Sequence, residues 1–152
     1  MKKSHVQTIC LAIVLSHFLI LIPSVTAKKP LRCDLEMTLD WGLFQWIGTV
    51  SGDINGDITT TPRSASFPGS TEHFLETFEI ETDNGVIISG YDEGVWNMKT
   101  GRFRTNGRIT RVIDDSGEMS YLVGYRVHFS GVTGTLLDGV TPIEGSGSVR
   151  IY

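Results

Sequence analysis

Glycine is the feature that most restricts this chain. All 17 glycines fall after residue 41 and recur every few residues, between short runs rich in Val, Ile, Thr, Phe and Tyr. Each glycine inside a helix costs roughly 1 kcal/mol relative to alanine, and no stretch after residue 30 keeps an apolar 3.6-residue period over three turns. β-type runs separated by turn signals every 8 to 12 residues or so specify a sandwich or a barrel. The chain reads as all-β.

The runs predict strands over 35–40, 44–59, 72–82, 86–92, 95–99, 102–113, 118–130 and 145–152. Residues 60–70, with Pro62 and Pro68 among serines and threonines, and residues 131–142 read as loops. Asp83-Asn84-Gly85 closes a three-residue hairpin, with the glycine in the left-handed position. That loop sets Ile80 opposite Ile88 and Phe78 opposite Gly90, and turns Glu79 and Glu81 outward. Thr100-Gly101 joins the strand of Trp96 and Met98 to that of Phe103.

Asp115-Ser116-Gly117 reads as the same kind of closure. It places Ile113 opposite Met119, Arg111 opposite Tyr121 and Gly107 opposite Tyr125. One face then collects Phe103, Ile109, Ile113, Met119, Tyr121, Val123, Tyr125, Val127 and Phe129, while Arg104, Asn106, Arg108, Arg126 and His128 take the other. A one-residue slip would reverse every side chain, so the segregated register is the expected one. Consecutive hairpins of about eight strands close as a single antiparallel up-and-down β-barrel, which also removes exposed edges. A two-sheet β-sandwich is the alternative.

Residues 1–27 carry the three parts of a secretory signal. Lys2 and Lys3 precede a 14-residue run, Ile9 to Ile22, and Val25-Thr26-Ala27 offers a cleavage site. The run is short of the roughly 20 apolar residues that a spanning helix needs, so no stable membrane anchor is expected. The expected organisation is a signal peptide over 1–27, an N-terminal tail over 28–34 and a barrel domain over 35–152, in a secreted or periplasmic (extracytoplasmic) protein. Cys10 leaves with the signal. Cys33 is then the sole cysteine, an inert tail thiol or an intermolecular bridge. Without Lys2 and Lys3, 11 basic side chains face 17 acidic ones, a net charge of −6. That balance argues against nucleic acid or an anionic membrane as partner.

Motifs for chemistry are sparse. His73 and His128 lie on polar faces. Glu72, His73 and Glu76 cannot converge on a metal from one strand, because His73 points away from the side that Glu72 and Glu76 share with Phe74. Asp53, Asn55 and Asp57 resemble the start of a calcium loop but lack its closing Glu. Gly145-Ser146-Gly147 stops short of a nucleophile elbow. No metal site and no cofactor are implied. The candidate site is a cavity on the apolar face: Tyr121 and Tyr125 bring hydroxyls, Arg111 brings a charge near one mouth, and Phe103 and Trp96 supply wall. The structural alternative is ordinary core, with Arg111 snorkelling to water. Trp41 and Trp46 also read first as core.

Gly48-Thr49-Val50-Ser51-Gly52, Gly101-Arg102-Phe103 with Gly107 and Ile109-Thr110, and Gly145-Ser146-Gly147-Ser148-Val149 resemble the glycine-punctuated strands of the allene oxide cyclase-like and dirigent-like barrels, in the calycin-like group. The resemblance implies a barrel that binds or transforms a small, largely apolar molecule inside; none of that family's catalytic residues can be placed here. Three functions follow as expectations. The leading one is a secreted, lipocalin-like barrel binding a small, mostly apolar ligand without catalysis. The second is a cyclase or isomerase of the allene oxide cyclase type. The third is a non-catalytic surface or interaction protein with a filled barrel, assembling as a homo-oligomer through its outer face or Cys33.

Overall fold

A computed structural model describes residues 29–152. The expected signal peptide lies outside the described residues. Eight antiparallel strands follow in sequence order: β1 (Leu31–Asp40), β2 (Gln45–Gly52), β3 (Gly56–Ser66), β4 (Thr71–Thr82), β5 (Ile87–Asn97), β6 (Arg102–Ile113), β7 (Arg126–Thr133) and β8 (Ile143–Ile151). β8 pairs back onto β1, closing an up-and-down barrel. The sandwich alternative is excluded. The described helix is one 3-10 turn, Ser120–Leu122, and no helix among the described residues is long and apolar enough to cross a membrane.

Alternation carries the fold. Ile58 and Thr60 point inward between Asp57 and Thr59, Phe78 and Ile80 between Glu79 and Glu81, and Val149 and Ile151 around Arg150. An eight-stranded barrel is just wide enough for its own side chains to fill. Here Leu35, Val50, Ile58, Phe78, Ile80, Ile88, Ile109, Val127, Val149 and Ile151 do so, each at most 2% exposed. Inward glycines make room. A Cβ at Gly90 would lie 2.6 Å from Phe78 Cζ, and one at Gly107 2.5 Å from Asp92 Cβ.

The hairpin at Asp83-Asn84-Gly85 has the expected register, Ile80 opposite Ile88 and Phe78 opposite Gly90. Gly85 has φ +81°, its amide donates to Thr82 O at 2.8 Å, and the Thr82 hydroxyl accepts from Val86 N at 2.9 Å. Thr100-Gly101 joins the two strands as expected, and Trp96 pairs with Phe103 across it.

Five readings change. Residues 60–70 are mostly strand: β3 runs to Ser66 and absorbs Pro62 at a register shift between Pro62 and Ser64, the kind of bulge where a residue without an N–H fits a sheet. The run 44–59 divides at a turn, because Gly52 N bonds Asn55 Oδ1 and Asp53 N bonds Arg32 O, both at 3.0 Å. The runs 86–92 and 95–99 join as β5. Cys33 lies within β1, 5% exposed and packed in the core, instead of on a tail.

The largest change is between β6 and β7. Residues 118–125 are not strand. Asp114 gathers the amides of Ser116 (2.9 Å) and Met119 (2.6 Å) on its carboxylate, the 3-10 turn follows, and Gly124 (φ +89°) returns the chain to β6 through Gly124 N to Ile109 O at 2.8 Å. β7 then pairs two residues out of the expected register, Gly107 with Val127 and Phe103 with Gly131. A shift of two keeps every side chain on its face, so Val127 and Phe129 still point inward. Leu122, fully buried, is driven into this end of the barrel.

Candidate functional site

The barrel has a closed end and an open end. Leu122, Ile54 and Val86, from three connections at the same end, are buried there with the core. The β1–β2, β3–β4, β5–β6 and β7–β8 connections lie at the opposite end, and there the filling stops. A cavity of about 50 Å³ remains. Met37, Trp46, Pro62, Glu72 and Phe74 form its partly exposed rim, while Ile58, Thr60, Glu76, Trp96, Phe103, Thr105, Phe129 and Thr133 form its buried wall and floor. Trp46 and Trp96 meet edge to face at 6.0 Å. That volume holds one or two waters, or a small head group; a dry cavity that takes up benzene is nearer 150 Å³.

The floor is a polar layer inside an otherwise apolar barrel. Glu76 on β4 and Asp92 on β5 are direct cross-strand partners, 8% and 0% exposed. Thr60 donates to Glu76 Oε2 at 2.8 Å and Thr105 donates to Asp92 Oδ2 at 2.5 Å. Asp92 Oδ1 is buried with no hydrogen-bond partner, and the neighbouring Glu76 carboxyl is close enough for the two acids to perturb each other's ionisation. Burial, and then the charge of Asp92, hold the Glu76 carboxyl well above the usual carboxylate range. Burial also raises Asp92, to about 6, against the opposing hydrogen bond from Thr105. Like charges directly opposite on a sheet repel, and in a low-dielectric interior two acids in contact share a proton. The pair therefore holds a proton to higher pH than two separate carboxyls would. Glu72 at the rim is also raised by burial.

The predicted site residues separate. Phe103 and Trp96 line the cavity, and the Trp96 indole donates to Thr133 Oγ1 at 2.8 Å. Arg111 and Tyr121 are exposed at the closed end, where Tyr121 stacks edge to face on Tyr125 at 5.7 Å, and Tyr125 packs partly buried on the core. None of these three lines the cavity. A bulge causes this for Arg111: β5 and β6 change register at Ser89/Gly90, so Ile109 points in while Arg111 sits opposite Ser89 on the outside.

Glu76 and Asp92 were missed, although a signal for them existed. The Asp83-Asn84-Gly85 register, carried one inward pair beyond Phe78 and Gly90, sets Glu76 against Asp92. The faint calcium-loop pattern is spent on turn bonds, Asp53 Oδ2 accepting from Arg32 N at 2.9 Å and Asn55 Oδ1 from Gly52 N. Among the described residues no three His, Cys, Asp or Glu side chains converge as metal ligands. His73 is exposed, and His128 contacts Asn106 Oδ1 at 3.2 Å on the outer face.

Fold and site together define a closed eight-stranded up-and-down barrel with one filled end and a carboxyl-floored pocket at the other. No protein-family model, curated protein or solved structure matches the chain.

Proposed function

We propose that the barrel binds a small, mostly apolar molecule at its open end, seating one polar head group on the carboxyl floor, without covalent chemistry. The observation that carries this reading is the join of two unlike surfaces: an aromatic wall of Trp46, Phe74, Trp96 and Phe103 leading down to the buried carboxyl of Glu76. Apolar walls with a few convergent polar groups are the general form of a small-molecule site. The mouth supports it too. Leu43, Phe44, Phe67, Leu136, Leu137 and Val140 are exposed by 45% to 80%, all on connections at this end. Only a head group fits in about 50 Å³, so the apolar remainder of the ligand lies among these residues.

A second reading uses the same pocket for an isomerase or cyclase reaction. It is favoured by the buried Glu76 carboxyl in the cavity lining, since an acid held above its usual range is suited to proton transfer. Trp46 and Trp96 serve as built-in reporters for either reading. Titration with 1-hexanol or benzyl alcohol is expected to shift tryptophan emission and raise Tm. An unchanged spectrum and Tm at saturating probe contradict a ligand site and return the pocket to ordinary core.

A further inference from the structure

We infer that the pocket selects a cationic head group, the ammonium of a small alkyl or aryl amine, held by Glu76 and Glu72 within the aromatic wall. The inference rests on the small-molecule reading above and names the chemistry that this site recognises. It follows from the direction of the hydrogen bonds around the cavity. The hydroxyl of Thr60 is directed to Glu76, that of Thr105 to Asp92, that of Thr133 to the carbonyls of Gly101 and Gly134, and the indole N–H of Trp96 to Thr133. Of the donors in the lining, only the indole of Trp46 at the rim has no acceptor among the described residues. The acceptors are in surplus: two carboxyls line the cavity and a third, Asp92, sits directly behind Glu76.

No Lys, Arg or His lines the cavity. A carboxylate or phosphate head group would enter without a counter-charge and meet three acidic side chains. A neutral acceptor such as a ketone finds few donors. An ammonium supplies what the floor lacks, since its N–H groups are donors to Glu76 and its charge balances the buried pair. Trp46, Trp96 and Phe74 supply aromatic lining, and aromatic rings attract a cation that approaches their faces. A primary ammonium, little larger than a water molecule, also suits a cavity of about 50 Å³.

Three six-carbon probes differing only at the head separate the possibilities: hexylammonium, 1-hexanol and hexanoate, followed at pH 7.5 by calorimetry and tryptophan emission. Hexylammonium is expected to bind about tenfold more tightly than hexanol, as charge-assisted hydrogen bonds exceed neutral ones, with hexanoate weakest. Glu76→Gln should cost the amine more affinity than it costs hexanol, and so close the gap between the two. Glu72→Gln, at the partly exposed rim and so with little risk to folding, should cause a smaller loss in the same direction. Equal affinity for amine and alcohol, or a preference for hexanoate, overturns the cation assignment while the small-molecule site stands. Failure of all three probes overturns the site itself.

Discussion

Glu76 and Asp92 face each other directly across β4 and β5, both buried inside the barrel. A hydroxyl from the next strand on either side holds each acid in place, Thr60 from β3 and Thr105 from β6. The four side chains make one polar band beneath the pocket, and the chemistry of the open end depends on it.

Stability should fall as pH rises through the range in which this pair ionises. Folded Asp92 keeps its proton up to about pH 6, while its ordinary value is 3.8. The native state therefore binds more protons than the unfolded chain between these limits, and stability declines with rising pH there. The shift corresponds to roughly 3 kcal/mol lost across that window. Glu76, raised by burial and by the charge of Asp92, adds to the decline in the same direction. Tm measured by circular dichroism should be higher at pH 5 than at pH 7.5, and Asp92→Asn should flatten the slope. A Tm that rises over this range contradicts the upward shift of the two acids.

The glycines opposite the inward side chains should not tolerate alanine. Gly107→Ala would press a methyl to 2.5 Å from Asp92 Cβ, and Gly90→Ala to 2.6 Å from Phe78 Cζ. Overpacking of this kind costs about 1–3 kcal/mol. Urea midpoints should drop for both, whereas Gly117→Ala, at an exposed turn, should act only through its φ of +74°.

Leu122 should matter to stability and not to the pocket. It is fully buried at the closed end, and Leu122→Ala should cost about 2–5 kcal/mol by leaving a cavity. The affinity of any open-end probe should be unchanged when measured well below the variant's Tm. A loss of affinity as large as the loss of stability would mean that the two ends are not independent.

Cys33 should be silent in the native protein. Its thiol is 5% exposed and burial raises its pKa, so both access and thiolate supply are low. A chromogenic disulfide reagent should react only after unfolding, and non-reducing gels should show no disulfide dimer. Rapid reaction of folded protein would place Cys33 on a mobile surface segment instead.

The legible parts of the fold were those fixed by local rules. Asp83-Asn84-Gly85 demands one backbone geometry, from which the β4–β5 register follows, and Thr100-Gly101 marks the turn between β5 and β6. Pro62 misled because its composition is that of a loop, yet a bulge lets a proline sit within a long strand. Met119, Tyr121, Val123 and Tyr125 misled for a different reason. Their alternation has the period of a strand, but the barrel end needed a plug, and burying Leu122 outweighed continuing the ladder. The site was half legible. Phe103 and Trp96 were readable as wall from the face they share, whereas Arg111 required knowledge of a bulge between Ser89 and Gly90 that nothing in its own neighbourhood announces. Glu76 and Asp92 were one inward pair beyond a register already in hand, and acidic residues are seldom looked for inside a barrel.

The most direct test of the account is an NMR titration with hexylammonium that follows the indole N–H signals of Trp46 and Trp96 and the backbone amides of Leu122 and Ile88. The account predicts saturable shifts of both indoles, with the closed-end amides unmoved. Indoles that stay still, or shifts confined to the closed end, would contradict a ligand site on the carboxyl floor.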